Sequence, residues 1–224
     1  MSDLVAADAP LGLWIDLNYV LYASALDAIE AYRDPKTGMP IVGIFRYVRL
    51  PMNASADDIS GPELSRIIAR KLACALVQHV YLPGWNPELT SGAKAALVGM
   101  EHASSVFYPK DATIFVDIEG VAEKTSARPY TYQWQNTLLS ANCDPGLYYG
   151  YDCGMSPDEL WQAPGKHYYA APNQPDVPNR GPCVRQRYPE GKIAMVGQVD
   201  FDDVARDLKG DVFRAAVLGQ AAAA

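Results

Sequence analysis

Between residues 11 and 161, short apolar runs alternate with helix-forming stretches five times, and after that the alternation stops. No other feature of the sequence narrows the fold as much. Repeated βα units imply a mainly parallel sheet whose helices cover it. The five runs lie at residues 11–18, 41–50, 74–82, 112–120 and 146–151. Helices are expected over residues 19–33, from Ser60 to about residue 72, from Thr90 or Ser91 to about residue 107, over 128–141, and from Ser156 through Trp161. Local chemistry marks their limits. Asp34-Pro35 and Gly38 break the chain after the first helix. Ser60, Pro62 and Glu63 have the spacing of a capped helix start, and Ser156-Pro157-Asp158-Glu159 repeats it.

The last third reads differently. Residues 167–171 (HYYAA), 184–188 (VRQRY) and 193–201 (IAMVGQVDF) form three further strands. Residues 189–192 are too few for a parallel crossover, which takes about a dozen residues or more. At least one antiparallel pairing is therefore expected there. Residues 172–182 are a proline-rich loop, residues 202–217 are expected to form a closing helix, and the alanine-rich end reads as frayed. The expected fold is α/β: an irregular, TIM-like β/α barrel of five βα units followed by three strands with few helices. It occupies residues 11–217 as a single domain, between a flexible N-terminus at 1–10 and a tail at 218–224. An open doubly wound sheet is the rival. A Gly-rich phosphate loop after the first strand would favour that rival, and the sequence has none.

Charge and cysteine content exclude some functions. The 26 acidic and 19 basic residues give a net charge of −7, which argues against a general nucleic-acid binder. No apolar run approaches the ~20 residues of a membrane span. The start, MSDLVAADAP, lacks the charged and apolar blocks of a signal peptide. The chain is therefore expected to be made in the cytoplasm and to reach an outside substrate through lysis, a holin or a secretion system. Cys74, Cys143, Cys153 and Cys183 show no metal-ligand spacing and read as reduced thiols. A Cys143–Cys153 bridge stays open for an oxidising setting.

The fourth run, ATIFVDIEG, ends in two carboxylates. Strand side chains alternate between faces, so Phe115, Asp117 and Glu119 share one side. In a parallel barrel the C-terminal strand ends carry the chemistry. Asp16 closes the first run in the same way. Acids at these ends are costly to bury unless paired or used.

The order of these segments resembles the glycoside hydrolase family 25 lysozymes. It also resembles the related glycoside-hydrolase-like domains of actinobacterial cell-wall proteins and phage lysins. The carrying residues are Asp16 on an early strand, FVDIEG, GLYYGY, YYAA, and RQRYPEGKIAMVGQVDF with Gln186, Tyr188 and Val199-Asp200. Gly43, Arg46 and Tyr47 are closer to the glycoside-hydrolase-like branch. The resemblance implies cleavage of the glycan of peptidoglycan or a related polysaccharide, without a cofactor. Glu119 would be the general acid, Asp117 would orient or stabilise, and Asp16 and Asp200 would complete an acidic cleft.

Around the acids, Trp85, Tyr149, Tyr151, Gln186 and Tyr188 are candidates for stacking on sugar faces or bonding hydroxyls. Arg46 and Gln78 are candidates for support one layer out. His79 reads as a hydrogen-bonded structural group. Two alternatives remain open at this level. One is a barrel that binds glycan without cleaving it. The other is a metal-dependent hydrolase, since Asp-x-Glu with Asp200 or Asp202 offers hard oxygen ligands.

Overall fold

The structure is a computed structural model and describes residues 4–51, 55–87, 89–122 and 124–219. In chain order it begins β1 (Leu4–Asp8), β2 (Gly12–Asp16), α1 (Ala23–Ala31), β3 (Ile41–Val48), α2 (Gly61–Ala69) and β4 (Ala73–Gln78). Then come α3 (Leu89–Ser105), β5 (Thr113–Ile118), α4 (Lys124–Ser140), β6 (Asp144–Tyr149) and α5 (Pro157–Trp161). The chain ends with β7 (His167–Ala170), β8 (Val184–Gln186), β9 (Gly191–Ile193), β10 (Gly197–Val204) and β11 (Arg214–Leu218).

Eight strands close into a barrel in the order β4-β3-β2-β10-β8-β7-β6-β5, with β5 returning to β4. Neighbours from β2 to β8 along the βα path are parallel. Strand β10 runs antiparallel to both β2 and β8 and closes the ring. The expected antiparallel pairing is thus present, and β9 adds a short hairpin to β10.

Strands β2 to β7 are buried on both faces along most of their length, which is why those runs read as near-continuous apolar sequence, whereas β8 and β10 keep partly exposed positions. The interior holds Trp14, Phe45, Phe115, Tyr148, Tyr169, Val184 and Val204. The outer layer packs Ile15, Ile44, Ile114 and Leu147 against Leu26, Leu64, Ala95 and Trp134 of the helices. Room for the interior aromatics comes from facing glycines. A Cβ at Gly43 would lie 2.3 Å from the Trp14 ring, and one at Gly146 would lie 2.3 Å from Phe115.

Several expectations are corrected. Residues 4–8, expected to be loose, form β1, which pairs antiparallel with β11 from Leu4↔Leu218 to Asp8↔Arg214. Residues 202–217 do not form a helix. Asp202 to Val204 extend β10, and a turn follows. There Asp207 accepts bonds from the amides of Lys209 and Asp211, and Gly210 takes φ +84°. The chain then re-enters as β11, whose Ala216 meets Cys74 of β4. Sheet pairing overrides the helical propensity of Ala215 and Ala216. Phe213 plugs the base of the barrel against Trp14, Phe45 and Phe115.

Smaller differences concern helix ends. Ser60 caps α2 by accepting from the Glu63 amide, but the Glu63 carboxylate pairs with Arg46 instead of closing the capping box. The box is complete at Ser156 and Glu159. The side chains expected to cap α3, Thr90 and Ser91, lie outside the described residues, as does the tail from 220. All four cysteines are free.

Candidate active site

The parallel strands deliver acids to one rim. Asp16 is the last residue of β2, Asp117 the fifth of six in β5, and Glu119 follows β5 directly. Alternation places Asp16 in the inward row of Trp14, and Asp117 and Glu119 in that of Phe115. Strand β10 begins at this same rim and runs down from it. Its Asp200 pairs directly with Asp16, and Asp202 pairs with Trp14 one pleat deeper. All four acids expected from the sequence are therefore brought together.

Phenols surround them. Tyr47 of β3 donates to Asp16 Oδ2 at 3.1 Å, and the Tyr169 oxygen lies 2.9 Å from the same atom. Tyr169 also lies 2.8 Å from Asp202 Oδ1. Tyr148 of β6, in register with Asp117, donates to Gln186 Oε1 at 3.1 Å. The His79 ring stacks on Tyr47 at 4.6 Å and sits 3.1 Å from Asp58, so it buttresses that phenol.

The carboxyls all resist ionisation. Burial, then the charge of Asp200, pushes Asp16 up to about 7 against the bonds from Tyr169 and Tyr47. Burial and Asp200 push Glu119 up to about 7. Burial and Glu190 push Asp200 up to about 6, opposed by a bond from Gln186. Asp117 is raised well above the usual carboxylate range by burial, then by Glu119 and Asp16. Its Oδ1 is buried without a hydrogen-bond partner among the described residues, which fits a neutral acid. Arg46 lowers Asp16, but by less than burial and Asp200 raise it.

Glu119 has a built seat. A Cβ at Gly150 would fall 2.1 Å from Glu119 Oε2, so the carboxyl lies against that glycine's backbone. The Trp85 indole donates to the Glu119 carbonyl at 2.9 Å. Gly120, at φ +61°, turns the chain away, and its amide bonds the Tyr151 carbonyl at 2.8 Å.

The other expected residues divide. Gln186 bridges Tyr148 and Asp200 at the site. Tyr151 is half exposed beside Glu119 and Asp117, whose charges raise its phenol further after burial. Trp85 packs on Tyr81 and Tyr130 and supports the Glu119 backbone. Tyr188 is 78 % exposed, outside the cleft wall.

Three expected residues point away from the barrel interior. Tyr149 is fully buried on the outer face and donates to Pro175 O at 2.9 Å. Its neighbour Tyr148 is the inward one. Gln78 also faces out, bonding the Arg49 and Ala95 carbonyls and accepting from Trp134. Arg46 lies in the outer row too. It is paired with Glu63 at 2.8 Å and donates to the Leu17 carbonyl, so it fixes the chain just past Asp16.

A cleft of about 280 Å³ opens beside the acids, lined by Asp16, Asn18, Tyr19, Tyr47, Glu190 and Asp200 among others. Tyr148, Tyr169 and Glu190 were not singled out from the sequence as site residues; Tyr47 was named only for the resemblance and Asp202 only as a possible metal ligand. Strand alternation from Phe45, Asp117 and Asp200 marks Tyr47, Tyr148 and Asp202, once the registers are known. Among the described residues no three His, Cys, Asp or Glu side chains are placed to hold a metal ion together. No helix among them is long and apolar enough to cross a membrane.

Residues 36–204 match the family model described as Rv2525c-like, glycoside hydrolase-like domain. The chain belongs to this family. The Rv2525c-like match spans β3 to β10 and so includes Asp117, Glu119 and Asp200. Solved structures share the fold. The Tat-secreted protein Rv2525c of Mycobacterium tuberculosis, in complex with HEPES, is 17% identical over 88% of this chain and 96% of that one, with a TM-score of 0.66. GHIP of Streptococcus pneumoniae, a glycosyl hydrolase 25, is 15% identical over 86% of both chains, at 0.60. The autolysin LytC of Streptococcus pneumoniae, solved with a synthetic peptidoglycan ligand, is 10% identical over 85% of this chain and 46% of that one, at 0.57. No curated protein matches the chain.

Proposed function

We propose that this chain hydrolyses the glycan strand of bacterial peptidoglycan, with Glu119 as the general acid. The observation that carries the reading is the state and seat of Glu119. Its carboxyl is half-buried, raised to about 7 by burial and by Asp200, and fixed against Gly150, on the rim where Asp16 and Asp200 line a cleft. Glycosidic cleavage needs a proton for the leaving oxygen and negative charge near the developing oxocarbenium ion. Carboxyls whose environments separate their protonation states supply both.

In this reading Glu119 protonates the glycosidic oxygen as the bond breaks, and water adds at the anomeric carbon, its surplus proton passing to a site carboxylate, Asp200 or the newly ionised Glu119. Asp16 and Asp200 carry the compensating negative charge, while neutral Asp117 hydrogen-bonds and orients. Tyr151 and Tyr19 offer ring faces to the sugar, and Gln186 and Asn18 offer amides to its hydroxyls. The glycan assignment is supported by family membership and by fold neighbours, one a glycosyl hydrolase 25 and one bound to a peptidoglycan ligand.

Digestion of purified peptidoglycan, followed by borohydride reduction and mass analysis, tests the bond that is cut. The expected products carry one newly reduced sugar per cleavage. Products with new amino or carboxyl ends and no reduced sugar would overturn the assignment.

A further inference from the structure

The Tyr169 hydroxyl has one hydrogen and two carboxyl neighbours. Its oxygen is 2.9 Å from Asp16 Oδ2 and 2.8 Å from Asp202 Oδ1. A phenol donates once, and an ionised carboxylate only accepts. One of the two short contacts therefore needs a proton supplied by a carboxyl. Tyr169 is fully buried and its ionisation is strongly disfavoured by burial and by both aspartates, so the phenol keeps its own hydrogen. The extra proton belongs to Asp16 or to Asp202.

Their surroundings decide which. Asp16 lines the open cleft, and its Oδ2 also receives the Tyr47 hydroxyl. Asp202 is 0% exposed, and its Oδ2 is buried without a partner among the described residues. A buried charge with an unpartnered oxygen is far costlier than a neutral acid in the same place. Among the described residues, the groups that act on Asp202 include no cation. They are Asp16 from β2, Tyr148 from β6, Tyr169 from β7, and Asp200 and Asp203 of its own strand. Gln186 of β8 is its ladder partner. Asp203, the nearest acid in sequence, is already bound to Arg187.

We propose that Asp202 is a positioning residue held as a neutral carboxylic acid. It donates to the Tyr169 oxygen, so that Tyr169 donates to Asp16 and, once Asp16 ionises, holds it as the anionic wall of the cleft. The proposal rests on the reading of Asp16 as a site carboxylate, but it does not require turnover to be tested. The order Asp202→Tyr169→Asp16 fixes the direction of every hydrogen in the chain. It places the anion where a sugar cation would develop rather than one pleat below.

The test is carboxyl spectroscopy on the full chain. Infrared difference spectra at pH 7 between wild type and Asp202→Asn should show a protonated-acid carbonyl band in the wild type only. Titration of Asp16, followed by carboxyl-labelled NMR and assigned with Asp16→Asn, should keep its midpoint within about 0.5 unit in Asp202→Asn, because a neutral group replaces a neutral group. A carboxylate band in the difference spectrum, with the Asp16 midpoint falling by about one unit or more as a neighbouring charge is removed, would overturn the proposal. Tyr169→Phe gives a second reading independent of how Asp202→Asn folds. The acid carbonyl band should shift as it loses its acceptor, while a shift confined to carboxylate bands would refute it. Because neither readout uses substrate, a chain that cleaves no glycan still decides the question.

Discussion

Asp200 on β10 stands directly across the ladder from Asp16 on β2, although the two strands run in opposite directions. In a fully parallel barrel every rim acid comes from the end of a strand. Here the one antiparallel strand starts at that rim, so its beginning supplies the opposing carboxyl. The charge of Asp200 raises both Asp16 and Glu119. That pairing sets the pH response of the site.

The proposed reaction needs Glu119 protonated and Asp16 or Asp200 ionised. Asp200 titrates near 6 and Glu119 near 7. The kcat/KM profile should be a bell with its maximum between about 6 and 7, falling on both sides. These midpoints belong to the coupled set rather than to single residues. A rate still rising above pH 8 would contradict the account.

The same shifts make the site a liability to folding. The folded chain holds a proton on Asp16 up to about 7, whereas an unfolded aspartate releases it near 4. Between those values the native state binds more protons, so stability falls as pH rises from about 4 to 7 and stays lower above. Asp16→Asn removes this penalty. Its thermal midpoint should exceed wild type by at least about 2–4 °C at pH 8, the shift worth ~1 kcal/mol for a domain this size, and match it near pH 4. Equal midpoints at both pH values would refute the burial argument.

Gly150→Ala puts a methyl where Glu119 Oε2 lies. The carboxyl must move, and misplacement by about 1 Å costs on the order of 100-fold in rate. Activity per folded molecule should fall by that order, and the urea midpoint should fall too, because the methyl also comes within 2.8 Å of Glu119 Cβ. Unchanged activity would show that the seat does not fix the acid.

Arg46 and Glu63 form an ion pair with both side chains fully buried. Removing one partner strands a charge and costs about 3–5 kcal/mol. Arg46→Met should lower the urea midpoint accordingly, and adding Glu63→Leu should recover most of the loss. A double variant as unstable as the single one would contradict this, and would point to the Leu17 and Asp57 carbonyls as the groups that need Arg46.

Much of this site was legible in the sequence because strand alternation is a local rule. Asp16, Asp117 and Glu119 follow from counting by two along apolar runs. Tyr149 shows where the rule fails. GLYYGY offers two adjacent tyrosines, and only the register of β6 on β5, Tyr148 opposite Asp117, says which one faces in. Gln78 and Arg46 are polar residues in apolar runs, and such a residue is as well placed against a helix as inside a barrel. Here the helix side holds their partners, Trp134 and Glu63. The missed β1–β11 pair joins the two ends of the chain, and no local pattern announces a partner more than two hundred residues away.

The most direct test of the central claim is release of reducing ends from purified peptidoglycan by the wild type and by Glu119→Gln, with pull-down on the same glycan measured alongside. The account predicts release by the wild type, a loss of at least about 1000-fold in Glu119→Gln, and binding retained in both. A folded wild type that binds the glycan and releases nothing, or a Glu119→Gln variant that keeps wild-type turnover, would contradict it.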